Sequence, residues 1–135
     1  MMYKGILDTS MLIRTLAGDV PDKEKKFRKL LEEAMKERST LFVPLIVVFE
    51  FVFVLEKVYK LSKKEVRTKA ESLLSISAIQ IEEEALVLES LRLHAEDNMK
   101  FGDAMVLAKA RLSGIKPVYT FDAKDFKKVA DAIVL

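Results

Sequence analysis

The chain of 135 residues is long enough for one domain with a buried core, and half of its residues are apolar while a third are charged. This balance excludes a disordered chain, and no apolar run reaches the roughly 18 residues that a membrane-spanning helix needs, so we expect a cytoplasmic protein with a single domain over residues 1–135. The net charge of +2 does not by itself indicate a polyanionic partner, and the absence of cysteine excludes disulfides and thiolate zinc sites.

The first predicted element is a strand. Residues 3–7 form a short, mostly apolar run that ends abruptly at Asp8, and we expect this run to be the central strand of a sheet. In open α/β sheets, ligands bind beyond the carboxyl ends of the strands. Asp8 is therefore a candidate functional residue.

Two helices are predicted next. The first covers residues 11–18, and either Thr9 or Ser10 can cap it. Gly18 can end it, because glycine adopts the left-handed conformation found after helices. The second covers residues 21–38, where apolar side chains recur at helical spacing.

A long apolar segment follows a second short strand at residues 41–43. Residues 45–55 are apolar at every position except Glu50. Pro44, just before them, suits the first turn of a helix and does not suit a central strand. We therefore predict a buried helix that continues to Tyr59.

Strands and helices alternate in the rest of the chain. Ser62 and Glu65 have the spacing of a capping box, which predicts a helix from there to Leu74. The remaining predicted elements are a strand at 78–81, helices at 82–96, 104–112 and 124–129, and strands at 117–120 and 132–135.

This order of elements predicts a parallel sheet, since strands that alternate with helices are joined by crossover connections. The expected fold is an α/β three-layer sandwich, in which helices flank one sheet of five short parallel strands. No linker or internal repeat divides the sequence.

Two aspartates follow apolar strands in the same way. Asp8 comes after residues 3–7, and Asp122 comes after residues 117–120. If the two strands are neighbours in a parallel sheet, both carboxylates emerge at the same edge. The alternative is that each aspartate simply occupies a turn or caps a helix, where this residue type is common.

Glu50 is the most informative single residue, because five apolar residues flank it on each side. Burying an ionised carboxylate without a partner costs several kcal/mol, so Glu50 should be paired, protonated, metal-bound or at the rim of the helices. A salt bridge is the alternative, but the nearest basic residues, Lys57 and Lys60, are seven and ten positions away.

Further acids and one histidine complete the candidates. Asp103 follows Gly102 and is both a possible ligand and a possible helix N-cap, and Asp125 is a weaker candidate of the same kind. The acids at positions 82–84 are interpreted as a solvated helix start, where the helix dipole favours them. We interpret His94 as a surface or packing residue rather than a general base.

Several carboxylates that converge would repel one another and titrate as a coupled set, and a hard divalent cation relieves this repulsion. A site built only from oxygen ligands favours Mg²⁺ or Mn²⁺ over zinc. Such a site commonly performs phosphoryl chemistry.

Four segments together resemble a known family. They are the runs around Asp8 (Ile-Leu-Asp-Thr-Ser), Glu50 (Val-Val-Phe-Glu), Asp103 (Phe-Gly-Asp-Ala-Met) and Asp122 (Thr-Phe-Asp-Ala-Lys). In this order and spacing they are similar to the PIN domain, in particular to the VapC-type toxins of prokaryotic toxin–antitoxin pairs. The resemblance covers the whole chain.

The resemblance implies a metal-dependent endoribonuclease that uses Mg²⁺ or Mn²⁺. The implied acidic cluster is Asp8, Glu50, Asp103 and Asp122, supported by the hydroxyls of Ser10 and Thr120. We expect the RNA backbone to contact basic side chains, in a salt-dependent manner. The residues proposed for this contact are Arg14, Lys60, Lys63, Lys64 and Arg67.

The sequence also bears on partners and alternatives. A mean hydropathy of +0.13 is high for a small monomer, which predicts that another chain covers some apolar helix surface. For a VapC-like protein, the resemblance implies a homodimer and an antitoxin segment in a groove. One alternative is a catalytically inactive PIN-like module that binds RNA or protein. Another is a receiver-type phosphotransfer domain, but its paired early acids are missing and it gives Glu50 no role.

Overall fold

Strands and helices alternate along the chain in the predicted order. The computed structural model describes residues 2–16, 21–126 and 128–135, and of residues 14–16 it describes only the backbone. The predicted helix end at Gly18 lies outside these described residues.

The chain divides into two compact units, Met1–Glu84 and Ala85–Leu135. Each unit contains its own parallel sheet and helices. That residues 1–135 act as a single domain stays a prediction.

The first unit is built around three parallel strands. These are β1 (Tyr3–Ile6), β2 (Thr40–Val43) and β3 (Ile79–Ile81), hydrogen-bonded in the order β1-β2-β3. The expectation that the first strand is the central one is wrong for this sheet, since β2 lies in the middle. The burial of the side chains agrees with this strand order. Leu41 and Val43 of the central strand β2 are buried, whereas Tyr3 and Ile6 of the edge strand β1 are exposed.

Helical crossovers connect these strands, as parallel pairing requires. The helices are α1 (Thr9–Leu16), α2 (Pro21–Lys36), α3 (Leu45–Lys57) and α4 (Lys63–Leu74). The predicted capping box is confirmed: the Glu65 N–H donates to Ser62 Oγ at 3.1 Å, and the Ser62 N–H donates to Glu65 Oε1 at 3.0 Å.

Helix α3 has two different faces, so the prediction of a buried helix is correct for only one of them. Val48, Phe51 and Leu55 are at most 2% exposed and face the core. On another face, Ile46 is 62% exposed and Phe53 is 54% exposed. A helix that is apolar all round therefore leaves an apolar stripe on the surface.

The second unit is built around two parallel strands. Its elements are α5 (Glu84–Glu96, which begins at the unit boundary), α6 (Phe101–Ser113), β4 (Val118–Thr120), α7 (Ala123–Phe126) and β5 (Ala132–Val134). Gly114 ends α6 with a φ of +72°, in the left-handed region that glycine adopts readily, just after the predicted helix end at residue 112. Arg111 joins α6 to the start of β5, because its Nε donates to Asp131 Oδ2 at 2.8 Å.

The parallel α/β class is confirmed, with every strand pair parallel. Within the described residues, the five strands are distributed over a three-stranded and a two-stranded sheet. The prediction of one five-stranded sheet within a three-layer sandwich is therefore not confirmed.

Candidate functional site

Asp8 lies two residues after the end of β1 and caps the helix that follows. Its Oδ1 accepts hydrogen bonds from the Ser10 hydroxyl at 2.7 Å and from the Met11 N–H at 3.3 Å. The prediction that Thr9 or Ser10 caps α1 is wrong, because both residues lie inside the helix. The hydrogen bond from Ser10 and that from the Met11 N–H hold the pKa of Asp8 below its usual range.

Glu50 lies on α3 and is exposed, in agreement with the predicted alternative that it lies at the rim of the helices. Its Oε2 accepts a hydrogen bond from Thr9 Oγ1 at 3.1 Å. The partner is therefore a hydroxyl next to Asp8 in the sequence rather than a basic side chain. The sequence gives no signal for this contact, because Thr9 and Glu50 are 41 positions apart.

Asp122 repeats the arrangement of Asp8 in the second unit. It follows the end of β4, and its Oδ1 accepts a hydrogen bond from the Asp125 N–H at 3.1 Å, so Asp122 caps α7. The Thr120 hydroxyl accepts a hydrogen bond from the Asp122 N–H at 2.9 Å. The hydroxyl predicted to support the acids thus fixes the backbone of Asp122.

Asp103 lies in the first turn of α6 and not at its N-cap. The helix begins two residues earlier than its acid, at Phe101, and Lys100 is the N-cap residue. The predicted start at Ala104 was too late, because the buried ring of Phe101 already belongs to the helix.

Three carboxylates of the second unit form a tight cluster. Asp103, Asp122 and Asp125 each offer an oxygen, and these oxygens lie within 4.8 Å of one another. Burial, a hydrogen bond with Asp125 and repulsion from Asp125 and Asp122 raise the pKa of Asp103 to about 6. Asp125, the weaker candidate in the sequence, is thus a full member of the cluster.

The donor set fits a hard divalent cation. Oxygen ligands of one Mg²⁺ ion lie about 3–4 Å apart, which is close to the spacing of the cluster. Asp125 Oδ2 is buried and has no hydrogen-bond partner, so its lone pairs are available to a metal ion. Carboxylates this close repel one another unless one of them holds a proton, and a cation would replace that proton.

The predicted site residues thus fall into two groups. In the first unit, the turn after β1 carries Asp8 and, through Thr9, contacts Glu50. In the second unit, Asp103 and Asp122 cluster together with Asp125. That the two groups form one site stays a prediction.

The predicted RNA contacts lie in the first unit. Lys60 and Lys64 are exposed, while Lys63 and Arg67 are partly buried. Arg67 also pairs with Glu71 of the same helix, with Nε and Oε1 separated by 3.7 Å. The side chain of Arg14 lies outside the described residues.

Comparison with known families decides the class of the protein. The family model of the PIN domain matches residues 5–132. The chain belongs to the PIN domain family. The resemblance seen in the four acidic segments is therefore confirmed, and the receiver-type alternative loses its support.

This PIN domain is similar to a curated relative over most of its length. It is 30% identical over 124 residues to a VapC ribonuclease of Aquifex aeolicus (strain VF5), a match that covers 92% of this chain and 90% of the relative. A solved toxin–antitoxin complex from Klebsiella pneumoniae matches over 97% of each chain with 19% identity. Its TM-score of 0.37 is too low to support an argument.

Glu82 and His94 of the PIN domain have structural roles, of which the sequence predicted only that of His94. Glu82, predicted in the first turn of α5, precedes that helix, and its Oε1 accepts a hydrogen bond from the Leu45 N–H at 2.8 Å. His94 is 1% exposed, with Nδ1 2.6 Å from the Met99 carbonyl oxygen. Its packing role agrees with the prediction.

The first unit of the PIN domain also contains an apolar cavity of about 120 Å³. Its apolar lining comes from α1, α2, α4 and the residues after α4. These residues are Leu12, Phe27, Leu31, Leu73 and Ile76. In the described parts of the chain, no helix is long and apolar enough to cross a membrane.

Proposed function

We propose that this PIN domain is a metal-dependent endoribonuclease, the toxin of a toxin–antitoxin pair, which hydrolyses RNA phosphodiester bonds. The observation that carries the proposal is the cluster of Asp103, Asp122 and Asp125, found in a chain similar to a VapC ribonuclease. An acidic cluster whose proton dissociates only near pH 6 is poised to exchange that proton for a cation.

The proposed ligands of Mg²⁺ or Mn²⁺ are Asp8, Glu50, Asp103 and Asp122, with Asp125 added from the geometry of the second unit. The bound ion would lower the pKa of a water molecule and stabilise the charge that develops on the phosphate. The chain itself supplies orientation: Ser10 holds Asp8, and Asp122 is fixed by its turn. No side-chain nucleophile is required.

The proposed RNA contacts are the basic side chains around α4 and at α1. Phosphate contacts by lysine and arginine release counterions, so binding should weaken as salt increases. Contacts of this kind reach the sugar–phosphate backbone and position the RNA without reading its sequence. The residues are Arg14, Lys60, Lys63, Lys64 and Arg67.

The proposed protein partners are a second copy of the chain and an antitoxin. The exposed stripe of α3, with Ile46 and Phe53, supports the homodimer because such apolar surface is costly in water. The cavity lined by Phe27 and Leu73 supports an antitoxin segment with apolar side chains. Light scattering on Ile46→Ser/Phe53→Ser should show a monomer where the unmodified chain is a dimer.

The alternative is an inactive PIN-like module that binds RNA or protein without cutting. The exposed apolar stripe and the cavity would serve this role equally well. A single assay separates the two functions. Structured and single-stranded RNAs are incubated with the protein in Mn²⁺ and in EDTA, and the products are resolved on a gel.

We expect cleavage in Mn²⁺, none in EDTA, and background cleavage by Asp8→Asn. Asp97→Asn, at an exposed aspartate outside the cluster, should cleave like the unmodified chain. Circular dichroism should show that both variants fold. RNA that binds but is not cut in Mn²⁺ would favour the inactive module.

A further inference from the structure

The turn after β1 presents three consecutive polar side chains with different partners. Asp8 offers its carboxylate at the strand end, and Ser10 donates to Asp8 Oδ1. Thr9, between them, donates instead to Oε2 of Glu50 on α3. The first turn of α1 therefore contacts both acids that the first unit contributes.

Glu50 needs such a contact if it is to act at a defined place. It is exposed, and its side chain has three rotatable bonds that water leaves free to move. A metal ligand works only when its oxygens are held near the productive geometry. Among the hydrogen bonds of the described residues, the one from Thr9 is what fixes the Glu50 carboxylate.

The hydrogen bond also leaves Glu50 free to bind a cation. Thr9 Oγ1 donates to Oε2, which leaves the second oxygen, Oε1, with its lone pairs available. A hydroxyl donor orients a carboxylate without competing for its charge, unlike a lysine or arginine partner. Thr9 itself is partly buried, so α1 and α3 hold its hydroxyl in place.

We propose that Thr9 is a positioning residue that orients Glu50 for metal binding. This inference rests on the proposed function, in which Glu50 is a metal ligand. A purely structural alternative exists, in which the hydrogen bond only joins α1 to α3. The two differ in what the loss of the hydroxyl changes: metal affinity in the first case, stability alone in the second.

The test compares Mn²⁺ binding and stability in a set of variants. Thr9→Val removes the hydroxyl and keeps the shape, whereas Thr9→Ser keeps the hydroxyl. The control is Thr68→Val, since Thr68 donates only to the Lys64 carbonyl within α4. Mn²⁺ affinity is measured by isothermal titration calorimetry, and unfolding is measured in EDTA.

We expect Thr9→Val to weaken Mn²⁺ binding about tenfold, as is usual when the partner of a metal ligand is removed. Thr9→Ser should restore the affinity to within about twofold of the unmodified chain, and Thr68→Val should not alter it. In a Glu50→Gln background, Thr9→Val should weaken Mn²⁺ binding no further, because the two residues act as one unit.

Three outcomes would overturn the inference. The first is equal Mn²⁺ affinity of Thr9→Val and the unmodified chain, with or without a loss of stability. The second is a full tenfold effect of Thr9→Val in the Glu50→Gln background. The third is an unmodified chain that binds no Mn²⁺, which would remove the metal site itself. If the expected affinities are found but RNA is not cut, only the proposed function fails.

Discussion

The carboxylate oxygens of Asp103 on α6 and Asp125 on α7 lie within 4.8 Å of each other, and the pKa of Asp103 rises to about 6. A cation that binds there must displace the proton. Below about pH 6, the Mn²⁺ affinity of the cluster should therefore fall about tenfold per pH unit. Calorimetric titrations between about pH 7 and about pH 5 measure this slope. A flat profile would show that Asp103 is not a ligand.

The same shift predicts how the metal-free chain responds to pH. Burial and the neighbouring acids raise the pKa of Asp103 in the folded chain above its ordinary value of 3.8, so the folded state binds more protons than the unfolded state. This contribution to stability is present below about pH 4 and is lost as the pH rises through about 6. Urea unfolding in EDTA should show that the free energy of unfolding of the unmodified chain falls over this pH range. The fall should be smaller in Asp103→Asn.

Substitution of Asp125 should separate stability from metal binding. Asp125→Asn removes a charge that repels Asp103 and supplies an amide donor, so the metal-free chain should gain about 1 kcal/mol. The same change removes a potential ligand and should weaken Mn²⁺ binding about tenfold. Thermal unfolding in EDTA and in Mn²⁺ measures the two effects. Asp97→Asn serves as the control, and a metal affinity equal to that of the unmodified chain would exclude Asp125 from the site.

Local sequence signals predicted much of the fold. Helical spacing of apolar residues, the proline before α3 and the capping box at Ser62 located helices whose bounds agree within a few residues. These signals act between residues close in the chain. The order of the strands depends instead on pairing between distant segments, and the central place of β2 was missed for that reason.

The candidate site also combines features with a local sequence signal and features that depend on contacts between distant residues. Asp8 and Asp122 could be recognised because each follows an apolar strand, and the structure adds that each caps the next helix. The contact of Thr9 with Glu50 is a long-range contact without a local pattern. The role of Asp125 in the cluster has no local signal in the sequence, because its proximity to Asp103 depends on the tertiary structure of the second unit.

The capping box of α4 gives a stability prediction that does not depend on function. The Ser62 hydroxyl accepts a hydrogen bond from the Glu65 N–H, and alanine cannot replace this acceptor. Ser62→Ala should therefore cost about 1 kcal/mol in the free energy of unfolding. Ser72→Ala is the control, because Ser72 donates only to a carbonyl within α4. Equal losses in the two variants, measured by urea unfolding, would argue against a special role of the cap.

Glu82 predicts a second stability effect, at the start of α3. Its Oε1 accepts a hydrogen bond from the Leu45 N–H, and the N-cap residue Pro44 offers no side-chain cap of its own. The carboxylate thus satisfies a free amide and interacts favourably with the positive end of the helix. Glu82→Ala should cost about 1 kcal/mol in urea unfolding, and Glu82→Gln should cost less because an amide oxygen still accepts.

The control for Glu82 is Glu32→Ala, at an exposed position of α2, which should change the free energy of unfolding by less than about 0.5 kcal/mol. Because Glu82 follows β3 and Leu45 begins α3, the loss should also appear as faster amide hydrogen exchange in the first turn of α3. If amide hydrogen exchange in the first turn of α3 is unchanged in Glu82→Ala, water replaces the carboxylate without any loss of local stability.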